Sequence, residues 1–133
     1  MHEFALPLRV YIEDTDSGGI VYYVNYLKFM ERARTEYFRA LAGNKPPNQW
    51  LGSDLCFVVH TAEIHYRHPA RLDDELQATA RLQARRAASL TFAQTIARSG
   101  MVLACATIKI ACVDRTKMRP RPIPPALAAQ LPL

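Results

Sequence analysis

Two aspartates, Asp14 and Asp16, lie in a short polar turn directly before a long segment with an apolar stripe. A turn that leads from a strand into a helix places side chains beside the free backbone N–H groups of the first helical turn. Such donors can stabilise an oxyanion, and a nearby carboxylate can act as a nucleophile or as a general base for water. Asp, Ser and Gly are also common in ordinary turns, so composition alone leaves both interpretations open.

The elements around this turn follow from hydrophobic periodicity. Residues 22–42 are predicted to be helical, because apolar side chains recur at helical spacing, with Asn25 as a helix start and Gly43 as a stop. Strands are predicted where apolar or β-branched residues cluster or alternate, over residues 4–12, 55–67, 75–85, 90–98 and 101–113.

The order of these elements predicts a single α+β domain over residues 1–133. Short connections, such as the Ser99-Gly100 turn, favour antiparallel pairing, and one apolar-striped helix must bury its stripe on the one sheet available. Residues 44–54 are predicted to form a loop, and the proline-rich residues 119–125 an extended tail. The expected architecture is an antiparallel sheet wrapped around one helix.

Composition argues against several classes of protein. The three cysteines are an odd number with no Cys-x-x-Cys pair, so neither a disulfide framework nor a metal site is expected. The apolar runs are too short to span a bilayer, and residues 1–4 do not resemble the start of a signal peptide, so a cytoplasmic location is expected. The net charge of +5 is spread along the chain, which favours a solvated surface over nucleic-acid binding.

A long motif spans the turn and the start of the helix. The run Val-Tyr-Ile-Glu-Asp-Thr-Asp-Ser-Gly-Gly-Ile-Val-Tyr-Tyr-Val-Asn-Tyr over residues 10–26, continued by Glu-Arg-Ala-Arg over 31–34, resembles the signature of the 4-hydroxybenzoyl-CoA thioesterase family. Within that family the chain is most similar to the Tol–Pal-associated acyl-CoA thioesterases. Weaker similarity continues in residues 66–76, 111–114 and 119–125.

The resemblance implies a hotdog fold, a curved antiparallel sheet around one long helix, and hydrolysis of the thioester of a short-chain or aromatic acyl-CoA. It assigns the catalytic carboxylate to Asp16 and a backbone N–H that polarises the thioester carbonyl to Tyr23. Asp14 and Glu31 are interpreted as structural. Many Tol–Pal-associated members have His where this chain has Tyr23, and this difference slightly favours a bulkier or aromatic acyl group.

The same resemblance implies how the substrate is held. Members of the family are dimers or tetramers with active sites at subunit interfaces, so a homodimer or homotetramer is expected. Coenzyme A is part of the substrate, and no separate cofactor is expected. Arg85 and Arg86 are candidates for its phosphates. The remaining predicted substrate-binding residues belong to the turn and the helix start: Gly19, Val21, Tyr22 and Tyr26.

Three other functions are considered. An acyl carrier protein could supply the thioester instead of coenzyme A, and a basic surface would suit such an acidic partner. A hotdog hydratase or dehydratase would need a histidine facing an acidic residue, and His60, His65 and His68 have no obvious acidic partner motif. A non-catalytic, envelope-associated acyl-binding protein would have no need of Asp16.

Overall fold

A computed structural model describes residues 3–46 and 51–133 of the chain. In this part of the chain, strand β1 (Phe4–Arg9) is followed by a 3₁₀ turn (Ile12–Asp14) and the long helix α1 (Asn25–Leu41). The remaining elements are β2 (Leu55–Tyr66), β3 (Glu75–Arg85), β4 (Ser89–Arg98), β5 (Met101–Asp114) and the short helix α2 (Pro125–Ala128).

The described strands form one antiparallel sheet in the order β1-β3-β4-β5-β2, with α1 packed on β1, β3 and β4. The predicted α+β architecture is confirmed. Strand β2 lies at an edge and pairs only with β5 among the described residues. A long edge strand has unpaired backbone groups that can accept another strand.

The core lies between α1 and the sheet. The apolar stripe of the helix is buried, including Phe29, Met30 and Ala33, and it meets inward-facing side chains such as Leu76 and Phe92. Burying a side chain of this size contributes about 1.5–3 kcal/mol. This packing fixes the rotation of α1, and with it the direction in which the helix start faces.

One polar link crosses this core. The Arg34 guanidinium, 8% exposed, donates to Gln94 Oε1 at 2.9 Å, and Gln94 Nε2 donates to the carbonyl oxygens of Met30 and Thr79 at 2.9 and 3.0 Å. Burial lowers the pKa of Arg34, although the charge of Glu31 opposes this shift. The link ties the middle of α1 to β3 and β4, so a rigid helix supports the turn at its start.

The structure shifts several predicted boundaries. β1 ends at Arg9, because the chain then turns into the 3₁₀ segment, and α1 begins at Asn25 rather than at residue 22. The tail is not wholly extended: Pro120 pairs with Val113 and the chain then enters α2. Residues 1–2 of the expected N-terminal segment and residues 47–50 of the expected loop lie outside the described residues.

The Ser99-Gly100 turn is present, and both residues have positive φ angles, 50° and 81°, as tight hairpin turns require. In the part of the chain that the structure describes, no helix is long and apolar enough to cross a membrane.

Candidate active site

The segment between β1 and α1 folds back on itself as a small hairpin. Thr15 and Val21 form an isolated antiparallel bridge, the Asp16 N–H donates to the Ile20 carbonyl at 2.9 Å, and the Gly19 N–H donates to the Asp16 carbonyl at 3.1 Å. Gly19 has a φ of +79°, a conformation that glycine adopts without a steric penalty. The hairpin therefore brings Asp16 close to the segment that enters the helix.

Asp16 is exposed and makes few contacts. Its Oδ1 accepts a hydrogen bond from the Gly18 N–H at 2.8 Å. A Cβ atom at Gly18 would lie 3.2 Å from the same oxygen, closer than an ordinary contact. The glycine thus gives the carboxylate room while its N–H holds one oxygen in place, and the second oxygen has no hydrogen-bond partner among the described residues.

Asp14, two residues earlier, is engaged within the protein. Its Oδ2 accepts from the Tyr11 N–H at 2.8 Å, which closes the 3₁₀ turn. Its carbonyl oxygen accepts from the Tyr22 N–H and from Asn25 Nδ2, both at 2.9 Å. Asn25 is the first residue of α1 and follows the N-cap Val24, and its side chain bonds back to the turn instead of capping the helix.

The positive end of the α1 dipole lies at the helix start, and no described side chain caps it. Val24 is the N-cap, no side chain of residues 3–46 or 51–133 caps the helix, and its first turn contains no acidic residue. The N–H of Tyr23 has no hydrogen-bond partner among the described residues, and the Tyr23 side chain is 58% exposed. An uncapped N-terminus with a free N–H is suited to bind an oxygen on which negative charge develops.

A cluster of tyrosines surrounds this helix start. The Tyr66 hydroxyl donates to the Tyr23 carbonyl at 2.9 Å, and its ring lies 6.1 Å from that of Tyr23 and 5.3 Å from that of Tyr26. Tyr22 makes an edge contact with Tyr23 at 5.0 Å. Desolvation raises the pKa of Tyr66, and the neighbouring Tyr23 and Tyr26 add to the shift.

Tyr66 is not among the site residues predicted from the sequence. It is the first residue of the motif over residues 66–76, but the contact that matters is with a carbonyl 43 residues away. The local sequence pattern does not indicate that the Tyr66 hydroxyl bonds to the Tyr23 carbonyl.

The segment after β2 supports the turn from behind. The Ala70 carbonyl accepts from the Val21 N–H at 2.8 Å, and the Ala70 N–H donates to the Tyr26 hydroxyl at 3.0 Å. Of the residues predicted to bind substrate, Val21 and Tyr26 are buried, whereas Gly19 and Tyr22 are exposed. Ile20 also bridges to Arg71.

Asp74 holds this supporting segment. Its Oδ2 accepts from the Arg71 N–H at 2.8 Å and from the Arg98 guanidinium at 2.6 Å. Desolvation would raise the pKa of Asp74, but the Arg71 N–H and the Arg98 guanidinium outweigh it, and the pKa lies below its ordinary value of 3.8. The carboxylate is therefore charged at neutral pH and stabilises the turn that backs the site.

A groove runs from the helix start along α1, beside β2. It consists of two adjoining cavities of about 260 and 290 Å³ that share Glu31, Arg34 and Val59 in their walls. The first begins at Val24, the residue after Tyr23, and the second ends near Phe57. Glu31 accepts from the Thr35 hydroxyl at 2.9 Å, and no ion pair to Glu31 occurs within the described residues.

Arg85 and Arg86 lie at the opposite end of the sheet from Asp16. Arg85 is the last residue of β3, and its guanidinium donates to the Ala128 carbonyl at 2.7 Å. The turn that contains Asp16 lies near the opposite end of the sheet, where the Arg67 N–H donates to the Leu103 carbonyl at 2.8 Å. With about 3.3 Å per strand residue, the two ends are roughly 30 Å apart. One subunit does not bring the predicted phosphate-binding residues to the predicted catalytic residues.

Comparison with known proteins identifies the family. A family model described as the thioesterase-like superfamily matches residues 10–131. This chain belongs to that superfamily. The match includes the turn, the helix and every strand after it. The predicted hotdog fold is confirmed by this match together with the five-stranded sheet and its packed helix.

Individual relatives agree with this assignment. The chain is 44% identical over 127 residues to the acyl-CoA thioesterase YbgC of Haemophilus influenzae, covering 95% of this chain and 92% of that protein. It is 39% identical over 128 residues to the acyl-CoA thioester hydrolase YbgC of Escherichia coli O6:H1, covering 96% and 94%. The predicted resemblance to the Tol–Pal-associated thioesterases is confirmed.

A solved structure supports the same conclusion. The crystal structure of a probable thioesterase from Bartonella henselae superposes with a TM-score of 0.84 at 33% identity, covering 92% of this chain and 99% of that one. The predicted enzyme class, a thioesterase, is confirmed by these relatives.

Proposed function

We propose that this protein hydrolyses acyl-CoA to the free acid and coenzyme A, with Asp16 as the catalytic carboxylate and the Tyr23 backbone N–H as the donor to the thioester carbonyl. The proposal rests on the Tyr23 N–H at the start of α1, which has no hydrogen-bond partner among the described residues. The Asp16 hairpin is folded against the segment that leads to it. In an acyl transfer, a donor of this kind stabilises the oxygen of the tetrahedral intermediate.

Two routes use this geometry. In one, an Asp16 oxygen attacks the carbonyl carbon, the C–S bond breaks to release the thiolate of coenzyme A, and water then hydrolyses the anhydride. In the other, Asp16 takes a proton from a water molecule that attacks the same carbon. A thiolate is a good leaving group and needs no dedicated general acid, which agrees with a site built around one carboxylate.

The surroundings of the helix start favour a short-chain or aromatic acyl group. Tyr22, Tyr23 and Tyr66 expose ring surface beside the Tyr23 N–H, and aromatic edges pack well against other rings. The groove from Val24 along α1 would accept a longer chain. Thiol release from short, long and aromatic acyl-CoAs at equal concentration shows which acyl group is preferred. If no acyl-CoA of this panel released thiol, the proposed activity would be wrong.

The distance between Asp16 and Arg85 leads us to include a second subunit in the proposal. Strand β2 is a 12-residue edge strand with Val59 54% exposed, and an antiparallel copy could pair along it. That pairing would bring the Leu55 end of one subunit toward the Tyr66 end of the other. Arg85 and Arg86 of one copy would then approach the turn of its partner, as CoA phosphates require.

Subunit complementation tests this arrangement. The Asp16→Asn protein and a protein with Arg85→Glu and Arg86→Glu are each expected to hydrolyse acyl-CoA poorly. A mixed dimer of the two contains one site with a native Asp16 and native arginines, so about half of the native activity per mixed dimer should return. The same mixture of subunits that cannot exchange is the control. No recovery in a verified mixed dimer would contradict a site shared between subunits.

An acyl carrier protein remains an alternative thioester donor. The basic residues at the end of the sheet that holds Arg85 and Arg86 would suit an acidic carrier. Comparing kcat/KM for the same acyl group on coenzyme A and on the carrier decides between them. If kcat/KM were higher on the carrier, the acyl carrier protein would replace acyl-CoA as the proposed substrate. A cytoplasmic location is part of the same proposal, because both donors are used there.

A further inference from the structure

An exposed methionine surrounded by basic residues marks the turn after β5. Residues 114–121 form this turn, called here the Met118 turn, and Met118 is 55% exposed with a φ of +57°. A side chain in this left-handed region is uncommon outside glycine and asparagine, so the conformation is unfavourable for methionine. The exposed thioether does not pack in the core, and its position is not explained by folding.

The Met118 turn is rigid because Asp114 organises it. Oδ1 of Asp114 accepts from the N–H groups of Thr116 and Lys117 at 2.9 and 2.8 Å, and the Asp114 carbonyl accepts from the Met118 N–H at 2.7 Å. The Asp114 N–H in turn donates to the Arg119 carbonyl at 2.8 Å. The apolar side chain at the tip is therefore held outward before any partner binds.

The charge of the turn is strongly positive. Four cations lie within it, and its one acid, Asp114, forms an ion pair with Arg121 at 3.2 Å. Arg115 donates to the backbone carbonyls of Ser53 and Leu55 and has no acidic partner in the part of the chain that the structure describes. Lys117 and Arg119 form no ion pair among the described residues. Two cations thus flank Met118 directly without a counter-charge.

We propose that the Met118 turn docks on the surface of an anionic phospholipid membrane. Methionine would enter the headgroup layer, and the flanking Lys117 and Arg119 would bind lipid phosphates, the combination that interfacial binding uses. The phosphates of coenzyme A would require the cations but not a protruding apolar tip. Within one subunit, the Met118 turn lies at the opposite end of the sheet from the turn that contains Asp16.

Vesicle flotation tests the proposal on the whole protein. The native chain should float with vesicles of equal phosphatidylglycerol and phosphatidylcholine at low salt, and should not float with pure phosphatidylcholine. Binding should weaken at high salt, because added ions screen the charges. An absence of binding to the anionic vesicles at low salt would overturn the proposal.

Two variants separate the apolar and the electrostatic parts. Lys117→Glu should lower the vesicle partition coefficient at least about tenfold, since each cation near an anionic surface contributes about fivefold. Met118→Ser should lower it about fivefold, and Met118→Leu should restore most of the loss. Arg81→Glu on β3, an exposed reversal of the same size, should behave as native. Melting temperature checks that each variant folds.

The outcomes distinguish this inference from the proposed hydrolysis. Vesicle binding is measured without any thioester, so it can fail while acyl-CoA hydrolysis persists, and the reverse. If Met118→Ser and the native protein bound vesicles equally strongly, the proposed insertion of Met118 into the headgroup layer would be contradicted. If Lys117→Glu raised the KM for acyl-CoA tenfold while vesicle binding stayed unchanged, the turn would serve the CoA phosphates instead.

Discussion

The two halves of the turn before α1 use the same residue type in opposite ways. In the first half, the Asp14 carboxylate closes a 3₁₀ turn, and the Asp14 carbonyl receives the Tyr22 N–H and the Asn25 side chain. In the second half, the exposed Asp16 carboxylate accepts one hydrogen bond, from Gly18 of its own turn, and the Tyr23 N–H has no partner among the described residues. Each carboxylate accepts one backbone N–H bond, but Asp14 is half-buried and its bond closes the 3₁₀ turn, whereas the exposed Asp16 is available to a substrate.

Removing the Tyr23 N–H, the donor in the second half of the turn, should lower kcat more than any other change in this series. Tyr23→Pro removes the N–H and should lower kcat about 100-fold or more, the usual cost of losing one oxyanion donor. Tyr23→Ala keeps the N–H and should retain kcat within about tenfold. Steady-state hydrolysis of acyl-CoA with circular dichroism of both variants checks this. Equal losses in the two would mean that the side chain, not the backbone donor, matters.

Removing the carboxylate of the first half should reduce stability more than catalysis. Asp14→Ala loses the bond to the Tyr11 N–H and should lower the free energy of unfolding by about 1 kcal/mol. Glu13→Ala, an exposed change next to it, is the control and should stay within about 0.5 kcal/mol. Urea denaturation measures both. A native-like Asp14→Ala would remove the contrast between the halves.

The supporting segment should make stability depend on pH. Because the folded-state pKa of Asp74 is lowered, its ion pair with Arg98 stabilises the protein above the ordinary pKa of 3.8 and is lost as the pH falls through the folded-state value. Asp74→Asn should therefore cost about 1 kcal/mol at pH 7 and much less in strong acid. Denaturation at several pH values checks this, and a cost that grows toward low pH would contradict it.

Loss of the Tyr66 hydroxyl should lower kcat less than loss of the Tyr23 backbone donor does. Tyr66→Phe removes the bond to the Tyr23 carbonyl but keeps the ring contacts with Tyr23 and Tyr26, so kcat should fall by only about threefold to tenfold. If Tyr66→Phe kept the native kcat, the hydroxyl would have no part in positioning Tyr23. A loss as large as that of Tyr23→Pro would indicate that Tyr66 contacts the substrate.

The sequence predicted the architecture and the central turn because both depend on local pattern. Apolar spacing located α1 and the strands, and the Asp and Gly residues marked the turn. The helix start was placed three residues early, because the Asn25 side chain bonds to the Asp14 carbonyl and Tyr22 remains in the turn. Local pattern contains no information on that bond.

Contacts between distant parts of the chain were not predictable in this way. The bond from Tyr66 to Tyr23 and the link between Arg34 and Gln94 depend on which strand faces the helix, and their partners lie 43 and 60 residues apart. The separation of Arg85 from Asp16 is of the same kind. It follows from strand direction in the folded sheet, and it leads to the proposal that two subunits share a site.

The most direct test compares kcat for Asp16→Asn and Asp14→Asn on the same acyl-CoA. Each substitution keeps one oxygen that can accept the native backbone bond, from Gly18 and Tyr11 respectively, and replaces the other carboxylate oxygen by an uncharged NH2 group. Asp16→Asn should lower kcat at least about 100-fold with an unchanged free energy of unfolding, while Asp14→Asn should stay within about tenfold. A larger loss of kcat in Asp14→Asn than in Asp16→Asn would contradict the account.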